Sequence, residues 1–159
     1  MLPITALVHT NNDALRLGRC LETIYPCDDL LIVDHGSRDA TVQVAREYGA
    51  RIMSAEPGAS PDHYLRTAPG WILCLDPRES LTENLAASLF EWKSLPGDAR
   101  GSPAFSVFLR EETARGWVEV PAAQTRLVPR TWRLWSGRFP LPEPSASVLE
   151  GELLRFVFP

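Results

Sequence analysis

Between residues 3 and 95, short apolar runs alternate with amphipathic segments, a succession that calls for βαβ units and a sheet covered by helices. The runs Ile4 to His9, Leu30 to Val33 and Trp71 to Leu75 lack the period-two alternation of a half-solvated strand, so they are expected as adjacent parallel strands buried on both faces. Between the first two, Leu17, Leu21 and Ile24 recur at helical spacing, with Asn12 placed to cap the helix and Pro26 to end it. A second helix is expected over Asp39 to Tyr48, closed by Gly49, followed by a short strand over Arg51 to Met53. Ser80 and Glu83 have the spacing of a capping box and predict a helix running to about Leu95.

Beyond Pro96 the texture changes. Eight of the 14 prolines fall in residues 96 to 159, and the apolar runs Ala104 to Leu109, Thr125 to Val128 and Leu153 to Phe158 have no convincing helix between them, which predicts antiparallel strands and loops. A segment of about 60 residues so rich in proline would bury too little surface to stand alone. Residues 1–159 therefore read as one domain with two halves, 1–95 and 96–159. Its 45% hydrophobic and 23% charged residues suit a compact core. A formal net charge of −4 disfavours nucleic acid as a partner. No apolar run approaches the roughly 20 residues of a membrane span, and Met1 to Thr5 shows no basic segment ahead of an apolar one, so a cytoplasmic protein is expected. Cys20, Cys27 and Cys74 have no CxxC spacing and read as reduced core thiols.

Ligands of open α/β sheets sit at the carboxyl ends of the strands. Here those positions read His9-Thr10-Asn11-Asn12-Asp13, Asp34-His35-Gly36-Ser37-Arg38-Asp39 and Asp76-Pro77-Arg78-Glu79. The second has two readings. In one, Gly36 lets the backbone approach a ligand, Ser37 or Asp39 caps the next helix and Asp34 accepts hydrogen bonds from a base or ribose; in the other it is a plain helix cap. The absence of GxGxxG argues against a dinucleotide fold. His9, His35 and His63 are too dispersed for a metal motif and read as polar rim residues. Arg126, Arg130, Arg133 and Arg138 interleave with Trp132 and Trp135, for which an amphipathic strand over Thr131 to Trp135 with solvated arginines is preferred to an anion-binding or sugar-binding face.

Taken together, Val8 to Asp13, Arg19-Cys20-Leu21-Glu22, Val33 to Thr41, Ala45 to Ala50 and Trp71 to Asp76 resemble the amino-terminal half of bacterial family 2 glycosyltransferases of the lipopolysaccharide-core and glycan type. The resemblance covers residues 3 to 95, with a weaker echo in Gln124 to Arg130. It implies a GT-A-like α/β fold, that of the nucleotide-diphospho-sugar transferases: a three-layer sandwich with a mostly parallel sheet and a small antiparallel C-terminal part. It further implies transfer of a sugar from a nucleotide sugar, UDP-type, to a glycan or lipid-linked acceptor. By the same resemblance Thr10 and Asn12 line the nucleotide pocket, Asp34 holds the base, and Gly36 and Ser37 belong to that nucleotide-binding turn. Asp76 matches the first carboxylate of a DxD-type motif, the place where Mn or Mg bridges the diphosphate, and Arg78 and Glu79 complete the diphosphate and metal region.

This chain departs from the family at several positions. Arg78 stands where the family usually has a second carboxylate, and a fixed cation beside a hard metal ion costs affinity. Arg78 could instead offer its planar donor fork to the diphosphate. Pro61-Asp62 stands where relatives often carry a cation, and no His-Glu pair follows Gly137-Arg138, which leaves Glu111, Glu112 and Glu119 as substitutes for a catalytic base and the catalytic residues unassigned. The departures favour a second reading, a non-catalytic descendant serving as a nucleotide-sensing or protein-interaction module.

Overall fold

The computed structural model describes residues 1–97 and 100–158. Strand β1 (Ile4–Thr10), helix α1 (Ala14–Thr23), β2 (Asp29–Asp34), α2 (Thr41–Glu47), β3 (Arg51–Ser54), a 3-10 turn (Pro61–Tyr64) and β4 (Trp71–Leu75) form the first part. There follow β5 (Glu79–Leu81), α3 (Glu83–Ser94), β6 (Phe105–Thr113), β7 (Gly116–Glu119), β8 (Gln124–Pro129), β9 (Trp135–Ser136), β10 (Phe139–Pro140) and β11 (Ser147–Arg155).

The nine-stranded sheet runs β3-β2-β1-β4-β8-β6-β11-β5, with β7 paired to β6. The expected parallel core is there: β2, β1 and β4 are neighbours, β1 is buried along its whole length, and the register sets Val8 beside Ile32 and Leu75. The sheet as a whole is mixed, which corrects the expectation of a mostly parallel one. β8 runs antiparallel to both β4 and β6, and β5 runs antiparallel to β11. A parallel pair needs a long crossover, and among the described residues no α-helix follows Ser94 to supply one. Among the described residues the one parallel pair of this half, β6 with β11, uses the excursion through β7 to β10 as its crossover.

The three α-helices of the described residues all lie on one face. Ile4, Ala6 and Val8 of β1 share a core with Leu17, Cys20 and Leu21 of α1, Ala45 of α2, and Leu85, Leu89 and Trp92 of α3. On the opposite face Leu7, Leu31, Val33, Ile72 and Cys74 pack under Tyr64, Leu65 and Ala68, with Trp132, Trp135 and Phe139 against them. The third layer is thus a 3-10 turn and a hairpin rather than helices. The tryptophans serve this core, and Thr131 to Trp135 forms no strand beyond the two-residue β9, because Trp132 N–H closes a turn onto Pro129 O.

Two cap assignments change as well. Ser80 lies in β5, paired with Leu154, and the cap of α3 is Thr82, whose Oγ1 accepts from Leu85 N–H. Asn12 does not cap α1; it takes a left-handed φ of 54° and turns its side chain to the neighbouring loop.

Candidate functional site

The parallel register determines what meets at the carboxyl ends of β1 and β2. Thr10 pairs with Asp34, so the loops that follow leave side by side and are laced together. Asn12 Oδ1 accepts from the backbone N–H of Arg38 (2.8 Å) and Asp39 (3.3 Å), and Asn12 N–H donates to Ser37 Oγ (2.9 Å). Ser37 in turn donates its hydroxyl and its N–H to the Asp34 carboxylate. Gly36 holds φ +80°, a conformation that side-chain-bearing residues rarely adopt. Thr10 is fully buried and donates to Asp13 Oδ2. The structure therefore brings Thr10, Asn12, Asp34, Gly36 and Ser37 into one loop network, in which Asp34 and Asn12 spend hydrogen-bonding capacity on the turn itself.

Beside this network opens a cavity of about 430 Å³, lined by His9, His35, the segment 55–59, Pro61, Tyr64, Gly137 and Arg138. Nothing in the local sequence motifs singles it out, yet alternation carries the signal: Val33 pairs with His9, and His35, two residues on, returns to the same face. His9 is 6% exposed, a buried residue and not a rim one. Its Nδ1 lies 2.9 Å from His35 Nε2, a contact that requires one shared proton, and its Nε2 is buried with no hydrogen-bond partner among the described residues. Burial, then the neighbouring His35 and Arg138, push the His9 pKa down to about 4. His35 is lowered by burial and by Arg138, against the opposing pull of Asp34.

At the end of β4 the carboxylates are already engaged. Arg78 donates its backbone N–H and Nε to Asp76 Oδ1 (2.9 Å each) and Nη2 to Oδ2 (3.2 Å), so its fork is folded back onto Asp76 and is not held out toward a diphosphate. Glu79 is fully buried: Arg126 grips it in a bidentate pair (2.6 and 2.8 Å) and Arg155 adds a contact at 3.0 Å before reaching Glu111. Arg126, read from sequence as solvated, is 2% exposed. Its guanidinium lies 4.1 Å over the Phe139 ring, which ties the hairpin bearing Arg138 to the ion-pair cluster.

These residues do not fit the divalent cation that the fold implies. A hard cation needs several free oxygen ligands. Here both Asp76 oxygens and both Glu79 oxygens are taken by guanidinium groups, and among the described residues no cluster of three metal-ligating side chains occurs. Of the substitutes for a base, Glu111 is bound by Arg155, Glu112 accepts from the N–H of Val157 and Phe158, and Glu119 lies exposed on β7.

Burial alone would raise the Asp76 pKa, but the hydrogen bonds and charge of Arg78 outweigh it and hold the carboxyl below its usual value. The pair is then intact at neutral pH and through the ordinary carboxylate range, and is lost only as pH falls below it, through the depressed pKa. In a carboxyl NMR titration Asp76 is expected to protonate at lower pH in the wild type than in Arg78→Ala; coincident curves would refute the pairing.

No family model matches the chain. Over 126 residues it is 33% identical to a TPR repeat-containing protein of Synechococcus elongatus, a match covering 74% of this chain and 30% of that protein. Over 47 residues it is 36% identical to the lipopolysaccharide core biosynthesis glycosyltransferase LpsC of Rhizobium meliloti, covering 30% of this chain and 17% of LpsC. The chain thus spans less than a third of either relative. Among solved structures, S. aureus TarS superposes with a TM-score of 0.62 at 15% identity, over 81% of this chain and 28% of TarS. Mycobacterium tuberculosis glucosyl-3-phosphoglycerate synthase, solved with Mn2+, UDP-glucose and phosphoglyceric acid, superposes with a TM-score of 0.52 at 18% identity, over 69% of this chain and 44% of that one. No helix among the described residues is long and apolar enough to cross a membrane. Its sheet order, its strand-end loops and these likenesses together identify the chain as having the GT-A glycosyltransferase fold.

Proposed function

We propose that this chain binds a nucleotide sugar, with a UDP-sugar as the leading candidate, in the cavity beside the β1 and β2 loops, and that residues 1–159 act as one unit in doing so. The observation that carries this reading is the position of the cavity: it sits at the carboxyl ends of the central parallel strands, where ligands of such sheets bind, with Arg138 on its wall to meet an anion. The mycobacterial synthase of the same fold was solved with UDP-glucose. The same reading would put the chain in the cytoplasm, where nucleotide sugars are made.

If the chain is catalytic, the reaction is displacement at the anomeric carbon of the donor by a hydroxyl of a glycan or lipid-linked acceptor. Tyr64 and His9 brace one side of the cavity, their rings packing edge to face at 5.8 Å. The second reading, a nucleotide-sensing or interaction module without catalysis, is favoured by one specific observation, the occupation of Asp76 and Glu79 by guanidinium groups.

Isothermal titration with UDP-glucose and GDP-mannose tests the binding reading, and release of free nucleotide in the presence of candidate acceptors tests catalysis. Saturable one-to-one binding that weakens at least fivefold in Arg138→Gln is expected. An undetectable interaction with both donors would sink the nucleotide-sugar reading. Binding without turnover would select the module over the transferase.

A further inference from the structure

Arg138, on the β9–β10 turn, lines the same cavity as the His9 and His35 imidazoles, and burial together with its charge holds the pKa of both rings below the usual value. Their geometry limits what can happen next. In the neutral pair one proton sits between His9 Nδ1 and His35 Nε2. Adding one proton leaves that bond in place and makes both remaining nitrogens donors, including the orphaned His9 Nε2. Adding a second would set two N–H groups against each other and break the contact. The pair is therefore built to accept one proton and no more.

The groups facing it are Arg138 from the hairpin, Asp34 from β2, and Glu56, His63 and Tyr64 from the segment before β4. Glu56 Oε2 lies 3.6 Å from His63 Nε2. Arg138 opposes protonation, and an anion lodged beside Arg138 removes that opposition. On the other side, Asp76 and Glu79 are closed to a metal by Arg78, Arg126 and Arg155.

We propose that the cavity takes its diphosphate-bearing ligand without a divalent cation, with Arg138 and one proton gained by the His9 and His35 pair supplying the positive charge. This rests on the nucleotide-sugar reading above and deepens it: positive charge that a metal brings from outside is here supplied by a side chain and a proton. Binding and protonation then drive one another, so affinity rises as pH falls, by at most tenfold per pH unit for a single proton.

UDP-glucose is the appropriate probe, because its diphosphate is doubly esterified and does not itself titrate between pH 6 and 8. Calorimetry is run in EDTA and in Mn2+, at pH 6, 7 and 8, in PIPES and in ACES, whose different ionisation heats reveal proton uptake. The expected result is equal affinity with EDTA and with Mn2+, a several-fold loss from pH 6 to pH 8, and a buffer-dependent heat corresponding to uptake of a fraction of a proton at pH 7. His35→Asn, on the exposed side of the pair, should bind with a flat pH profile and no buffer dependence. Arg138→Gln should weaken binding in EDTA and gain nothing from Mn2+. Binding that requires Mn2+, or that takes up no proton, overturns this inference and leaves the nucleotide-sugar reading standing. No binding under any of these conditions overturns both.

Discussion

Glu79→Ala is expected to cost about 3–5 kcal/mol of folding stability, the range for removing one partner of a buried ion pair. The size follows from what is left behind. Arg126 is 2% exposed, and its other polar contact at this site is the carbonyl of Cys74. Without Glu79 its charge would stay buried with a carbonyl dipole and the face of Phe139 as its remaining partners. Arg155, which is more exposed, keeps Glu111 and can turn to water. The double variant Glu79→Met with Arg126→Leu should therefore recover most of the loss, since apolar groups of similar volume often replace a buried pair without penalty. Urea midpoints at unchanged m-value measure both. A single variant losing less than about 1 kcal/mol would show that water reaches the cluster and that it is not the dry pair described here. Because Arg126 also lies on Phe139, beside Arg138, the same substitution should loosen the hairpin and weaken ligand binding, more than an equally destabilising truncation in α3 would.

How far the sequence could be read depends on the range of the interaction that decides each feature. Adjacent parallel strands β2, β1 and β4 were legible because unbroken apolar runs have few other places to go. The mixed second half was not, because a strand's neighbour is chosen by pairing over long separations: β8 enters between β4 and β6, some fifty residues from β4, and no local pattern records it. The strand-end loops were found as sequence, and their mutual lacing follows from the Thr10 and Asp34 register. The cavity was missed for an opposite reason. His9 and His35 lie 26 residues apart and meet only because parallel pairing and alternation place them on one face, while Arg138, which the sequence pattern groups with solvated arginines, arrives from a hairpin that no local signal announces. Glu79 was placed in the diphosphate region by the motif it ends, whereas the antiparallel pairing of β5 with β11 sets it against Arg155 and inside the protein.

Gly151→Ala should be the second severe lesion, at about 2–5 kcal/mol, combining a left-handed backbone cost of roughly 1–2 kcal/mol with overpacking of about 1–3 kcal/mol. Gly151 has φ +92°, and a Cβ built there would lie 2.3 Å from Leu85 N and 2.6 Å from its Cα. Those atoms are backbone of the first turn of α3, which cannot swing aside as a side chain could. The turn is itself stitched to β11, with Thr82 donating both its N–H and its hydroxyl to Glu152 O and Ser88 donating to Glu150 O. Gly36→Ala is the control: it has a comparable φ of +80° but no atom within 4 Å of the added carbon, so it should incur the conformational cost alone. Equal losses in thermal or urea unfolding would mean that the close approach of α3 contributes nothing. The consequence reaches the site, because Gly151 lies in the register shift between Val148 and Glu152, and the strand after that shift sets Arg155 opposite both Glu79 and Glu111. A bulge forced open at Gly151 displaces Arg155 from Glu79, so Gly151→Ala and Glu79→Ala should be less than additive when combined.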